Sequence, residues 1–164
     1  MKSCLDLLNK RDSFSGALIY GFGDTAASLL TNEFQTSRML GIMLLGGTLY
    51  AYEIPRYFAW IERNIKPSNV WGRFTRALLA QAFFNPLWIA RHLALIYFFS
   101  GRYSDIDWNL LGIGLDSFVR IVPFALCANY IIQNRIPLSW RFLCSALFSS
   151  SMAFYYALSE VFFD

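Results

Sequence analysis

The stretch Phe14–Leu30, "FSGALIYGFGDTAASLL", is an apolar run that contains one carboxylate, Asp24. Its length approaches the roughly 20 residues that a helix needs to cross the hydrocarbon core of a bilayer. A charged side chain near the bilayer centre costs at least about 2.5 kcal/mol, so Asp24 has to face water or a partner inside a helical bundle. Successive members of the set Tyr20, Asp24, Ser28 and Thr31 lie three or four residues apart and share one helix face. The stretch therefore predicts a membrane-spanning helix with an inward polar stripe.

The composition extends this prediction to the whole chain. Of its 164 residues, 56% are apolar and only 15% are charged, whereas soluble domains carry about 25% charged residues. We therefore expect an all-α fold, a polytopic transmembrane helical bundle that forms a single integral membrane domain over residues 1–164. The first and fourth candidate spans are short, so the count is four to five, and prolines at 86 and 123 predict kinked third and fourth helices. The candidate spans are Phe14–Thr31, Met39–Ile61, Ala77–Phe99, Ser117–Gln133 and Phe142–Phe163.

Basic residues are distributed unequally between the two ends of these spans. With five spans, only Arg38, Arg102 and Arg120 fall on one side, and nine basic residues fall on the side of the N-terminus. The positive-inside rule therefore places the N-terminus on the cytoplasmic side, or on the matrix side in a mitochondrion. Because the basic residues are dispersed along the chain, nucleic acid is not expected as a partner. The opposite, basic side carries Lys2, Lys10, Arg11, Arg63, Lys66, Arg73, Arg76, Arg135 and Arg141.

A second polar stripe is predicted in the third span. Gln81, Asn85 and His92 lie four and seven residues apart, on one helix face, and Arg91 lies about 100° away from His92. Together with Asp24, these four side chains are the candidates for lining or gating a hydrated pore. A polar network that only holds the helices together is an equal alternative for Asp24, and the residues leave both interpretations open.

Two pairs of opposite charge have spacings that allow contact within one helix. Glu53 and Arg56 are three residues apart in the second span, and Asp116 and Arg120 are four apart at the start of the fourth. Pairing lowers the cost of placing such groups near lipid. We therefore expect both pairs to be structural.

The sequence argues against catalysis. The Gly-x-Gly-Asp motif at residues 21–24 also occurs in intramembrane aspartyl proteases, but that chemistry needs two carboxylates that share a proton. The nearest second candidate, Asp116, lies at a helix boundary. A single histidine and three cysteines without C-x-x-C spacing predict no metal site, and no cofactor motif is present. We therefore expect neither an enzyme nor a cofactor.

Short motifs in order along most of the chain give a resemblance to a known family. The chain resembles the MPV-seventeen and peroxisomal-membrane-protein-twenty-two family, which comprises small multispanning proteins of mitochondrial inner and peroxisomal membranes. The sequence departs from the family pattern at Ala51-Tyr52, where the family has Gly-Pro, and at Ala80, where it has aspartate. The positions that carry the resemblance are Gly21, Gly23, Asp24, Arg38, Gly46, Tyr57-Phe58, Glu62-Arg63, Arg76, Gln81, Pro86, Pro123, Asn129-Tyr130, Pro137, Trp140-Arg141 and Phe154–Ser159.

The resemblance implies a small channel that permits weakly selective passage of small solutes or metabolites. It implies residence in the mitochondrial inner membrane or the peroxisomal membrane, and a bacterial inner membrane stays open as an alternative. The expected partners are the lipid bilayer and small solutes, with a homo-oligomer left open. Two other functions remain: a non-conducting membrane-organising or assembly protein, and a solute carrier.

Overall fold

The computed structural model describes residues 9–163, without the side chains of 156 and 159–163, so Lys2 and part of the 154–159 motif lie outside the described residues. Every regular element in this range is helical, which confirms the all-α prediction. A π-helical turn, Gly46–Tyr50, joins α2 to α3, and a 3-10 turn, Tyr103–Asp105, precedes α6. The α-helices are α1 (Lys10–Leu30), α2 (Thr36–Leu45), α3 (Ala51–Asn64), α4 (Val70–Phe83), α5 (Pro86–Phe99), α6 (Asn109–Arg135) and α7 (Leu138–Phe163).

Asparagine is the N-cap residue of three of these helices. The side chains of Asn9, Asn69 and Asn85 accept hydrogen bonds from the backbone N–H groups of Arg11, Gly72 and Trp88, respectively. Each bond satisfies a donor that the first helical turn leaves without a partner. These caps fix the starts of α1, α4 and α5.

The predicted third span, Ala77–Phe99, is interrupted at Pro86, where the kink was predicted. α4 ends at Phe83 and α5 begins at Pro86. Proline lacks the backbone N–H that a continuing helix needs, and it disfavours helical geometry at the residue before it. Asn85 accordingly has extended geometry, with φ −71° and ψ 172°. The kink predicted at Pro86 therefore takes the form of a break, because Asn85 starts a new helix instead of extending the old one.

Other predicted boundaries moved by a few residues. The fourth span was expected to begin at Ser117, but α6 begins at Asn109 because the apolar segment before Ser117 is itself helical. α6 then passes through Pro123 without a break. The second predicted span corresponds to α2, the π-helical turn and α3 in direct succession. A single π-helical turn inserted in a longer helix is the usual form of this element.

The chain divides into two compact units, which are described separately. The first unit runs to Pro55 and resumes at Phe142. Within it, α1 packs directly on the π-helical turn: a Cβ added at Gly16 would overlap the carbonyl oxygen of Gly46, and the reverse also holds. Close backbone approach of this kind requires glycine on both sides. The rings of Tyr20 and Tyr50 meet edge to face beside this contact, 5.0 Å apart.

The second unit spans residues 56–141. The hydroxyl of Tyr57 donates a 2.9 Å hydrogen bond to the carbonyl oxygen of Leu79, which connects α3 to α4. α6 packs along both α4 and α5. At the α5 contact, a Cβ at Gly114 would lie 2.6 Å from the carbonyl oxygen of Pro86. The predicted single domain is not tested by this division and stays a prediction.

Two helical segments of the described chain are long and apolar enough to cross a membrane, Val70–Phe99 and Asn109–Arg135. Only 6% and 17% of their most apolar windows are buried in the structure, so most of those side chains are at least partly exposed. In a soluble core helix the apolar side chains would instead be covered by protein. The two segments therefore indicate a membrane location, whereas the prediction of four to five spans is not established by them.

Glycine at the α1 contact should be required for stability. We expect Gly16→Ala to lower the free energy of unfolding by about 1–3 kcal/mol, because its methyl group would force the two backbones apart. The matched control is Gly112→Ala in α6, where an added Cβ meets nothing within 4 Å. That control should leave stability unchanged or raise it by up to about 1 kcal/mol. Thermal unfolding in detergent, followed by circular dichroism, measures both, and equal stabilities would contradict the proposed contact.

Candidate functional site

In the first unit, Asp24 is paired with Arg38. Arg38 Nη2 lies 2.7 Å from Asp24 Oδ1, and Arg38 Nε lies 2.9 Å from Asp24 Oδ2. This two-bond fork is the strongest common geometry for an arginine and a carboxylate. Asp24 is only 8% exposed, and Glu33 approaches the outer edge of the same guanidinium at 3.5 Å. One buried carboxylate is thus neutralised by one arginine, and α1 is joined to α2.

The sequence did not predict this pair, because Asp24 was expected to line a pore or to join a helix-holding polar network with no named partner, and Arg38 was named as a motif position of the family resemblance. The available signal was the short turn between α1 and α2, since opposite charges that flank such a turn can meet when the helices pack side by side. The pore-lining role of Asp24 stays a prediction.

In the second unit, two buried amides connect α4 to α6. Asn129 Nδ2 donates a 2.9 Å hydrogen bond to Gln81 Oε1. Gln81 and Asn129 are both nearly inaccessible to solvent. Gln81 was predicted as pore-lining, whereas Asn129 was named only as a family-motif residue.

About one helical turn from the amide pair, two arginines converge on one carboxylate oxygen. Arg141 Nη1 lies 2.6 Å from Glu62 Oε2, and Arg76 Nη2 bonds to the same oxygen. Gln133 completes the group: its backbone carbonyl accepts from Arg76 Nη1 at 3.3 Å, and its side-chain oxygen lies 3.4 Å from Arg141 Nη1. Four segments, α3, α4, α6 and the first turn of α7, therefore meet at this cluster.

We call Glu62, Arg76, Arg141 and Gln133 the arginine cluster, and we call Arg76, Gln133, Gln81 and Asn129 together the polar seam. The seam lies between α4 and α6, and each of its residues is buried. Two of its atoms, Arg76 Nε and Gln133 Nε2, have no hydrogen-bond partner among the residues that the structure describes. Buried donors without a partner are costly, and these two atoms are the unsatisfied donors of the seam.

Glu62 differs from the rest of the cluster because its side chain is 39% exposed. Partial desolvation raises the pKa of its carboxyl group, but the hydrogen bonds and charges of Arg141 and Arg76 together outweigh it. The pKa of Glu62 therefore lies below its ordinary value of 4.5. The carboxylate stays ionised down to mildly acidic pH.

The other predicted pore residues lie around the start of α5. Asn85 is the N-cap of α5, and its amide nitrogen donates to the carbonyl oxygen of Ala82 at 3.1 Å. The ring of His92 stacks on that of Trp88, with centroids 5.6 Å apart, and the guanidinium of Arg91 lies 5.9 Å from the same Trp88 ring. Because the helix breaks before Asn85, the predicted continuous stripe from Gln81 to His92 does not exist. His92 and Arg91 are instead organised by an aromatic side chain on their own helix.

The two predicted structural pairs have different outcomes. Asp116 and Arg120 are in contact at 2.8 Å, with 64% and 72% of their side chains exposed. They lie inside α6 and not at its start, because α6 begins at Asn109. Glu53 and Arg56 lie on either side of Pro55 in α3, and their pairing stays a prediction.

Three glycines among the remaining motif positions of the resemblance have an identifiable packing role. A Cβ at Gly21 would overlap the side chain of Met43, and one at Gly23 would overlap that of Ser150. Gly46 forms the close contact with α1 described above, Pro86 is the first residue of α5, and Pro123 lies within α6.

The buried pair in the first unit predicts a large, non-additive effect of mutation. We expect Arg38→Ala to lower the free energy of unfolding by about 3–5 kcal/mol, because Asp24 would keep a buried charge without a partner. Adding Asp24→Ala should restore much of this loss. The control Arg120→Ala breaks the exposed pair and should cost at most about 1 kcal/mol. Thermal unfolding of wild type, Arg38→Ala, Asp24→Ala, the double variant and the control measures this. A double variant as unstable as the sum of both single variants would contradict the pairing.

The lowered pKa of Glu62 predicts a pH dependence with a definite sign. The unfolded state binds the proton more readily than the folded state, so the stabilisation by ionised Glu62 is complete above pH 4.5. It is lost as the pH falls through the folded-state pKa, which lies lower. We therefore expect wild type to exceed Glu62→Gln in stability by the largest amount near neutral pH, and we expect this difference to shrink in acid. Unfolding midpoints over a pH series measure it, and a difference that grows in acid would have the wrong sign.

Comparisons of this chain with protein-family models, with curated proteins and with solved structures gave no match. The residues and their geometry are therefore the basis for a functional proposal.

Proposed function

We propose that this protein is a small membrane channel that permits weakly selective passage of small solutes or metabolites. The observation that carries the proposal is the polar seam. Arg76 and Gln81 lie on one segment that is long and apolar enough to cross a membrane, and Asn129 and Gln133 lie on the other. Polar side chains are expensive within a bilayer, so their concentration between two such segments requires a structural or functional reason.

The chemistry of the seam suits weak binding. Amide and guanidinium groups can replace part of the hydration shell of a solute, and a channel needs sites that bind weakly enough to release it. Arg76 Nε and Gln133 Nε2 have hydrogen-bonding capacity to spare among the described residues. The seam also begins beside Glu62, whose side chain reaches solvent. A hydrated path could therefore start at Glu62 and continue along α4 and α6.

Membership of the MPV-seventeen and peroxisomal-membrane-protein-twenty-two family is part of the proposal. Several positions that carry the resemblance come together in space although they are distant in sequence. Glu62 and Arg141 are 79 positions apart and in contact, and Gln81 and Asn129 are 48 apart and share a hydrogen bond. Motif positions that form pairs are expected if the motifs belong to one fold. By this resemblance we propose a mitochondrial inner or peroxisomal membrane. The apolar runs and the distribution of basic residues support four to five spans and an N-terminus on the matrix or cytoplasmic side.

One observation favours the alternative of a non-conducting membrane-organising protein. The fork between Asp24 and Arg38 is buried and has equal and opposite charges. Such a pair holds two helices together without offering a binding group to a solute. If the seam has the same role, all buried polar groups of the chain serve assembly.

Flux through liposomes distinguishes these functions. We expect purified wild-type protein to pass small solutes by a non-saturable route. The double variant Gln81→Leu with Asn129→Leu should lower the flux roughly tenfold, the factor that corresponds to about 1.4 kcal/mol of barrier. Replacing both hydrogen-bond partners by apolar groups of similar size leaves no unpaired donor, so the fold should survive. The matched control is Asp116→Asn with Arg120→Gln, at the exposed pair on α6.

Each result has a defined meaning. Absence of flux from correctly folded wild-type protein supports the organising role. Saturable, solute-specific uptake supports a carrier. Unchanged flux in the double variant, with flux present in wild type, would rule out the seam as the path. Asp24→Asn, tested in the same assay, asks whether the first unit contributes to conduction.

A further inference from the structure

We propose that the arginine cluster is a binding site for a small oxyanion, which Glu62 occupies as a tethered carboxylate until a free anion replaces it. The ligand class comprises phosphate and carboxylate groups. This inference goes beyond the proposed channel, because binding at the cluster does not require conduction.

The first observation is the stoichiometry of the cluster. Two guanidinium groups share one carboxylate, and both bond to the same oxygen, Oε2 of Glu62. Arg76 and Arg141 together carry one positive charge more than Glu62 neutralises. In the first unit, by contrast, Arg38 alone forms a two-bond fork with Asp24 and also lies 3.5 Å from Glu33, so no positive charge is left over there. The same side-chain chemistry is saturated in one place and left with excess positive charge in the other.

The second observation is the presence of unused donors. A guanidinium group has five N–H donors in a planar arrangement. Arg76 uses Nη1 for the carbonyl oxygen of Gln133 and Nη2 for Glu62, while its Nε has no partner among the described residues. Nε2 of Gln133 also has no hydrogen-bond partner among the described residues. These residues are 2% and 0% exposed, so bulk water does not serve as the missing acceptor. An oxyanion with three or four oxygens could accept from the arginines and from these donors together.

The third observation concerns which group can leave. The two arginine side chains are 3% and 6% exposed, whereas the side chain of Glu62 is 39% exposed. Glu62 lies in the last turn of α3, which ends at Asn64. Rotation of its side chain toward solvent would expose the inner guanidinium groups without moving a helix. The buried partners stay in place, and the exposed one is exchangeable.

The surroundings favour anions as well. Asn134 Nδ2 donates to the backbone carbonyl of Arg73 at 3.1 Å, so the end of α6 lies beside the start of α4. Arg63, Arg73 and Arg135 are exposed near this end of the second unit. A surface with one sign of charge raises the local concentration of oppositely charged ligands. Oxyanions would therefore be concentrated next to Glu62.

Phosphate binding to the purified full-length protein in detergent tests the proposal, with affinity measured by calorimetry and by the shift in unfolding midpoint at constant ionic strength. Glu62→Gln keeps the shape of the side chain and removes the competing charge. We expect it to bind phosphate about tenfold more tightly than wild type. Glu62→Gln combined with Arg141→Gln should lose this binding. The matched control is Glu62→Gln combined with Arg102→Gln. Arg102 forms an ion pair with Asp105 outside the cluster, so this variant should retain the binding.

Equal phosphate affinity in wild type and Glu62→Gln would overturn the proposal, as would equal affinity in Glu62→Gln with and without Arg141→Gln. If Glu62→Gln is recovered folded only when phosphate or acetate is added, the site is supported; if neither anion allows recovery, the proposal fails. A third arm uses a short-chain phosphatidic acid. Tighter binding of this lipid than of inorganic phosphate to Glu62→Gln, lost when Arg141→Gln is added, would support the site and identify a lipid headgroup as the source of the oxyanion.

Discussion

The need to neutralise buried charge determines how this protein is held together. An ionised group removed from water loses several kcal/mol of hydration free energy, which only a close partner can offset. Asp24 and Arg76 are both nearly inaccessible to solvent, and each has its partner on another helix. Contacts between apolar side chains tolerate changes in helix orientation, whereas a fork of two hydrogen bonds does not. The charged groups therefore fix which helix faces meet.

Glycine makes these contacts possible by letting backbones approach. At the crossing of α1 with the π-helical turn, Gly16 and Gly46 each occupy space that a methyl group would block. Without that approach, the edge-to-face contact of Tyr20 with Tyr50 in the same unit would also be lost. Small residues and charged pairs thus have complementary roles. The glycines let two helix faces approach, and the polar groups on those faces select one arrangement.

The sequence predicted the helices better than it predicted which side chains of different helices contact each other. Apolar runs of sufficient length predicted all-helical structure, since backbone groups in a bilayer must bond within their own segment. Pro86 predicted the interruption of the third span, and Asn-Pro explains why it is a full break, because it combines a capping side chain with a residue that cannot continue a helix. The contact of Glu62 with Arg141 spans 79 positions and depends on which helix faces pack together, and no local periodicity contains that information. The predicted pore residues were selected one helix at a time, so Gln81 was identified without its partner Asn129.

The two charged clusters differ in a way that structural roles alone do not require. If both only held helices together, no arginine in excess of the carboxylates would be needed, as Arg38 with Asp24 and Glu33 demonstrates. The second unit instead places two buried arginines behind one partly exposed carboxylate and leaves a guanidinium N–H without an acceptor among the described residues. An additional buried cation destabilises a fold unless a further anion is present at least part of the time. The excess charge is therefore better explained by a ligand that exchanges with Glu62 than by helix packing.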